Sequence, residues 1–320
     1  MAMRIGVIGA GRMGRMHLQS LSAQSDVKIA AVCDSDRSKA DSAAQPYAAG
    51  AHINPRTMIE SERLDAVFIC LPPFCRGEPE SLAARAGVHL FAEPPVGLTP
   101  EKAQQTRKEI EKAGIVACVG FYWRYLSGVD RALEMLKGRK LAMLRGLNLA
   151  PVTPAGWRRR RESCGGQLVM DATDLIDLAR HFGGEMSSVF AQRSEGIVAA
   201  RVAEYDIEDV VTALARFQSG VIGEFVCSNV SPRRERSLTV VAEDLELRLT
   251  EESLEVFEPG KRTLIEHEAP ALACAEKAFL EAVKSGNDKL VRVRYGDAVR
   301  SLEVAVAANL SAETGKAVSL

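Results

Sequence analysis

Residues 4–14 read Arg4-Ile5-Gly6-Val7-Ile8-Gly9-Ala10-Gly11-Arg12-Met13-Gly14, a short apolar run that ends in glycines spaced G-x-G-x-x-G. The run predicts a buried strand, and the residues after Gly11 carry the apolar period of a helix. Between a strand and a helix each glycine has a separate task. Gly9 permits the tight turn, Gly11 lets backbone N–H groups approach a pyrophosphate, and Gly14 lets helix and strand pack closely. Asp34 ends the next strand-like run, 20 residues past Gly14, where an acidic side chain can accept hydrogen bonds from an adenosine ribose. Residues 4–34 therefore predict a dinucleotide site in which Gly9, Gly11, Arg12, Met13, Gly14 and Asp34 touch the cofactor.

The charge of Asp34 repels a 2′-phosphate and points to NAD. Arg37, three residues on, can turn its guanidinium toward a 2′-phosphate, so NADP stays open as the alternative. Lys39 reads as a solvated helix residue.

Outward from this loop the same alternation continues. Val27 to Cys33, Ala66 to Leu71, Val88 to Ala92 and Ile115 to Val119 are apolar runs, with helical patterns starting near Asp36, Glu78 and Pro100. Buried strands separated by helices of this length predict βαβ units and a parallel sheet. After about residue 123 the pattern changes: a helix from Gln167 to Phe182 stops at Gly183-Gly184, and alternating strands follow. Val210 to Phe217 and Val221 to Cys227 flank Gln218-Ser219-Gly220 as a hairpin, and Leu238 to Ala242 turns at Glu243-Asp244 into a strand with Leu245, Leu247 and Leu249 on one face. Two helices, Ala271 to Lys284 and Asp297 to Thr314, end the chain. The expected fold class is α/β: an N-terminal Rossmann domain over 1–122, then an α+β domain over 123–320 with a large, mostly antiparallel open sheet.

The totals agree with a two-domain globular protein. The 320 residues exceed one ordinary core, and 41 Lys plus Arg against 42 Asp plus Glu leave a net charge of -1. That balance gives no field to recruit nucleic acid or an anionic membrane. No apolar run reaches the ~20 residues of a membrane span, and the start of the chain carries no secretory pattern, so the expected location is the cytoplasm. Seven scattered cysteines suit reduced thiols, and Cys70 with Cys75 has no second pair nearby to make a zinc site.

With these residues in hand the chain resembles the Gfo/Idh/MocA family of oxidoreductases, of the glucose-fructose oxidoreductase and inositol dehydrogenase type, over nearly its whole length. The matches run in order: residues 4–11, Cys33-Asp34, Leu71-Pro72-Pro73, Glu93-Pro94-Pro95, Gly120-Phe121, Gly165-Gly166-Gln167, Asp177, and Ser301-Leu302-Glu303-Val304 through Gly315. The resemblance implies hydride transfer at a carbon bearing hydroxyl or carbonyl, often on a sugar or polyol. It also implies a homodimer or homotetramer formed through the open face of the C-terminal sheet, and it adds Leu71, Pro72, Arg76, Glu93 and Pro94 to the cofactor contacts.

The departures matter for the chemistry. Where the family has Glu-Lys-Pro this chain has Glu93-Pro94-Pro95, and counting back from Asp177 puts Asp174 in the place of the usual histidine and Met170 in the place of an acidic residue. Arg76 stands where a histidine is typical, and Tyr122 where a smaller polar residue often follows Gly-Phe. Oxidising an alcohol needs a group that takes the hydroxyl proton and a donor or cation that steadies the alkoxide. Pro94 and Met170 can do neither.

What remains is Asp174 as the first candidate for proton transfer, with Asp171 three residues before it on the same helix face, where two carboxylates would raise one another's pKa. The other reading of Asp174 is a hydrogen-bonding helix residue. Tyr122 can donate a phenolic proton or be a buried tyrosine satisfied by a neighbour. Arg124, Trp157, Arg158 and Met170 are the expected substrate contacts. Most of Arg158 to Arg161 should be solvated, Arg233 to Arg236 reads as a surface loop, and His17 as a packing or capping residue.

The expected function is an NAD(P)-dependent oxidoreductase of a small hydroxyl or carbonyl compound with a non-standard proton relay. Two alternatives are a non-catalytic dinucleotide-binding sensor or partner subunit, and a redox-neutral enzyme that retains NAD.

Overall fold

The computed structural model describes residues 2–320. The chain divides into two compact units. The first comprises the chain up to Gly97, Glu101–Gly120 and Ala275–Val299, and the second Leu98–Pro100, Phe121–Cys274 and Arg300–Leu320.

In the first unit the strands are β1 (Met3–Ile8), β2 (Val27–Cys33), β3 (Gly50–His52), β4 (Ala66–Ile69), β5 (His89–Ala92) and β6 (Ala117–Val119). They form one sheet in the order β3-β2-β1-β4-β5-β6, every pair parallel. Helices α1 (Arg12–Ser22), α2 (Arg37–Ala44), α3 (Pro55–Ser61), α4 (Glu78–Arg85) and α5 (Pro100–Ala113) make the crossovers. The strand order reverses between β1 and β4, so the chain leaves the sheet in opposite directions there. In such sheets the crevice at the carboxyl ends of these two strands binds ligands.

The second unit is built on nine strands: β7 (Leu141–Pro151), β8 (Met186–Ser194), β9 (Val210–Phe217), β10 (Ile222–Ser228), β11 (Val230–Ala242), β12 (Leu245–Leu249), β13 (Ser253–Glu258), β14 (Lys261–Glu266) and β15 (Val318–Ser319). Their order is β14-β13-β12-β11-β7-β10-β9-β8-β15. Only β7 and β10 pair in parallel, so the sheet is mostly antiparallel as the alternation implies. Its helices are α6 (Ser127–Leu136), α7 (Arg161–Cys164), α8 (Gln167–Asp171), α9 (Thr173–Gly183), and the parts of α10 (Ala271–Ser285) and α11 (Tyr295–Thr314) that fall in this unit.

Three expectations change. The helix expected over Gln167 to Phe182 is two helices, broken at Ala172, where φ is -112° and ψ -17°. Arg233 to Arg236 lies within strand β11 and is not a loop. Residues 275–299 join the first unit, because Phe279 of α10 meets Phe68 and Phe91 edge-on with ring centroids 5.6 Å from each. All seven cysteines are free thiols, and burial pushes those of Cys33 and Cys164 up to about 11. Among the described residues no helix is long and apolar enough to cross a membrane, and no three His, Cys, Asp or Glu side chains converge to hold a metal.

His17 sits in the aromatic core of the first unit, fully buried, its ring 5.0 Å from Phe68 and 5.3 Å from Phe91. Nδ1 is 2.6 Å from Glu276 Oε1 and Nε2 3.1 Å from Glu93 Oε1, and Ser20 Oγ donates to the other oxygen of Glu276. Burial alone would depress the imidazole pKa, but hydrogen bonds to Glu276 and Glu93 and their charges outweigh it and raise the pKa to about 9. The ring is therefore an imidazolium that donates to two carboxylates.

A histidine raised from 6.5 to about 9 contributes stability that is complete below pH 6.5 and is lost as pH climbs through 9, up to about 3 kcal/mol. Urea unfolding of wild type and His17→Gln at pH 6 and pH 9.5 checks this. The gap between the two proteins should shrink by that amount at the higher pH, and parallel profiles would mean a neutral ring.

Candidate functional site

The glycine loop is shaped by close approach. A Cβ on Gly14 would lie 1.8 Å from the carbonyl oxygen of Gly9, and Gly9 itself has φ +99°. Helix α1 thus starts tight against the end of β1. At Gly11, by contrast, nothing lies within 4 Å of a built Cβ, and no side chain caps the helix and no acidic residue enters its first turn. Uncapped N–H groups facing open space form the cradle that a pyrophosphate needs. Arg12 is exposed at this edge and Met13 half-buried.

Asp34 Oδ2 accepts from the Ala10 N–H at 2.9 Å and Oδ1 from the Asp36 N–H at 3.0 Å. The side chain is half-buried and braces the loop while keeping lone pairs for ribose hydroxyls. Arg37 donates to the Ala51 carbonyl at 3.2 Å and lies 3.6 Å from Asp41.

Beyond β4 and β5, Leu71, Pro72 and Pro94 are half-buried. Glu93 is buried with its carboxylate on His17, so its side chain faces the core. Arg76 departs from its expected role as a cofactor contact. It is 1% exposed; Nε donates to Glu80 at 2.5 Å, and Nη1 to the carbonyls of Ile69 at 3.2 Å and Glu93 at 2.7 Å. The enclosed guanidinium ties the ends of two parallel strands together, and its Nη2 is buried without a hydrogen-bond partner among the described residues.

In the second unit Arg124 is likewise turned inward. Nε and Nη2 each lie 2.7 Å from a different carboxylate oxygen of Asp177, and Asp177 Oδ1 also accepts from Ser301 Oγ at 3.3 Å. Both are buried, so this bidentate pair anchors α9 and takes the place of the expected substrate contact.

The two candidate acids each have their own guanidinium. Arg158 donates to Asp171 Oδ1 and Arg236 to Asp174 Oδ2, so an opposite charge faces each acid. Arg236 also lies over the Trp123 ring, 5.2 Å from its centroid. Tyr122 is half-buried in the short turn Tyr122–Tyr125. Trp157 and Met170 pack against a small core of Cys164, Val198, Tyr205 and Ile207.

Of the arginine run only Arg160 is exposed; Arg159 donates to the Thr153 carbonyl at 2.9 Å and Arg161 to Glu208 at 2.6 Å. The expected solvation of most of the run is met only in part: Arg158, Arg159 and Arg161 are half-buried and donate to Asp171, Thr153 and Glu208, of which only Glu208 is buried. Arg236 is the residue that the sequence reading missed. Counting back by two from Ala242, Val240 and Leu238 along β11 brings Arg236 to the same face, which an unbroken alternation would have signalled.

Two outcomes are expected. Gly14→Ala should destabilise the first unit by about 3 kcal/mol or more, since a Cβ cannot share space with a backbone oxygen; calorimetric melting reads this, and a melt like that of wild type would mean the loop relaxes freely. Arg124→Leu should lose about 3 kcal/mol by leaving Asp177 buried without its main partner. A fully stable variant with only a raised KM would return Arg124 to the substrate site.

The family model described as "Oxidoreductase family, NAD-binding Rossmann fold" matches residues 3–121, and the Gfo/Idh/MocA C-terminal domain model matches residues 141–248. Myo-inositol 2-dehydrogenase of Thermotoga maritima is 27% identical over 224 residues, 69% of this chain and 67% of that protein. D-glucoside 3-dehydrogenase of Escherichia coli is 26% identical over 259 residues, 75% of this chain and 74% of that one. Among solved structures, a levoglucosan dehydrogenase in complex with NADH superposes with a TM-score of 0.87 at 20% identity, covering 100% of this chain and 99% of the other, a likeness of fold. A glycine loop with an uncapped helix start, on a sheet of order 3-2-1-4-5-6, is the geometry such a cofactor domain requires, and together with the two matched modules it places this chain in the Gfo/Idh/MocA family of oxidoreductases, with an NAD-binding Rossmann domain at its N-terminus.

Proposed function

We propose that the chain is an NAD-dependent dehydrogenase of a sugar, polyol or related hydroxyl compound, in which Asp174 exchanges the hydroxyl proton. The observation that carries this reading is the state of Asp174. Its carboxylate is half-buried, Oδ2 is engaged by Arg236, and among the described residues Oδ1 accepts only the N–H of its neighbour Leu175, at 2.9 Å. A carboxylate oxygen holds more than one acceptor site, so Oδ1 can also accept a substrate hydroxyl. Bound oxidised nicotinamide would take up the hydride from the carbon that bears that hydroxyl.

Relatives named as dehydrogenases of inositol, glucosides and levoglucosan support the substrate class. NAD is favoured over NADP because Asp34 places negative charge at the ribose end, while Arg37 is engaged by Ala51 and Asp41. Assembly would use the outward face of the second sheet, where Leu214 and Leu264 are exposed. The sensor reading keeps one specific support, the presence of Pro94 and Met170 where the family's proton-handling residues stand.

Calorimetric titration with NAD, NADH, NADP and NADPH, followed by nicotinamide absorbance on a panel of inositols, glucosides and anhydrosugars, tests the proposal. Tighter binding of NAD than NADP and turnover that Asp174→Asn reduces by at least ~100-fold, with NAD affinity unchanged, are expected. Binding without turnover across the panel would turn the reading to a sensor, and an active Asp174→Asn would remove that residue from the chemistry.

A further inference from the structure

The rows of side chains that the second sheet turns toward α8 and α9 are apolar along most of the sheet. Leu238, Gly146 and Phe225 are aligned across β11, β7 and β10, and beside them Val240, Leu144 and Gly223. One row further the character changes. Arg236 of β11 is aligned with Asn148 of β7, and the Asn148 side-chain amide donates to the Asp171 carbonyl at 2.8 Å. A polar end has been built into an otherwise hydrophobic sheet, directly under the helix break that presents Asp171 and Asp174.

Within this end the Arg236 guanidinium is held on three sides. Nη2 donates to Asp174 Oδ2, Nη1 lies 3.5 Å from Glu251 Oε1, and the group rests over the buried Trp123 ring. Such enclosure removes the rotamer freedom that makes exposed arginine pairs weak. Nε, however, is buried without a hydrogen-bond partner among the described residues.

We infer that Arg236 is the positioning residue of this oxidoreductase: it fixes the Asp174 carboxylate so that Oδ1 faces the substrate hydroxyl. The inference rests on Asp174 being the proton-transfer group proposed above. As the substrate O–H bond breaks, its proton goes to Oδ1 and the negative charge passes from the carboxylate to the substrate oxygen, with Arg236 holding Oδ2 throughout.

The test compares full-length wild type, Asp174→Asn, Arg236→Met, Arg236→Lys and the double variant Asp174→Asn/Arg236→Met, using whichever panel compound wild type oxidises. Arg236→Met is expected to lower kcat roughly 10- to 100-fold, the scale of a misplaced reacting group, with KM within about threefold on the same scale and NAD affinity unchanged. Arg236→Lys should recover part of kcat, and the double variant should be no slower than Asp174→Asn, because a positioning residue has nothing left to position. If Arg236→Met does not fold, Arg236→Lys carries the test through its kcat alone. A kcat within about twofold of wild type in the Arg236 variants, alongside an inactive Asp174→Asn, overturns the role of Arg236 and leaves Asp174 in place. An active Asp174→Asn, or no turnover by wild type on the panel, overturns the Asp174 reading and this inference with it.

Discussion

The cofactor unit depends on one close approach, that of helix α1 to the end of strand β1. With only 1.8 Å between the Gly9 oxygen and the position of a Gly14 Cβ, the helix can begin directly against the strand only because neither residue has a side chain. That contact aims the uncapped helix start at the crevice between β1 and β4. It also sets the course of α1, so that His17 enters the aromatic core and meets both Glu93 and Glu276. A buried imidazolium between two carboxylates then holds the turn after β5 and helix α10 from within.

The second unit solves a different problem. Its sheet packs apolar rows against α9, with a bidentate arginine-carboxylate pair, Arg124 and Asp177, at the helix. Buried charge is tolerated there because the geometry is matched and Ser301 satisfies a further lone pair. At the polar end the pairs Arg158–Asp171 and Arg236–Asp174 are half-buried. The arginines thus divide by environment: fully enclosed Arg76 and Arg124 brace the fold, while Arg158 and Arg236 stand beside the groups proposed for chemistry.

Much of this was legible from local pattern. The strands around the glycine loop, the change from parallel units to alternating strands, and the hairpin over 210–227 all follow from period and turn residues, which a short window contains. The helix break at Ala172 was not legible, because Gln167 to Phe182 carries a continuous helical pattern and no glycine or proline interrupts it. Arg233 to Arg236 looked like a loop because three arginines in four residues have the composition of a solvated segment; the pairing of Glu235 and Arg236 with β7 outweighs that composition.

By itself the sequence determined the cofactor loop, since glycines and one aspartate act through backbone shape over some 30 residues, a distance that strand, turn and helix geometry spans in a known way. Only the tertiary structure decided which charges meet. His17 and Glu276 are 259 residues apart, and Asp174 and Arg236 are 62 apart. A side chain's type states that it needs a partner but not which one, and that choice is made by strand register and helix packing, which bring distant residues into contact and exclude water around some pairs and not others.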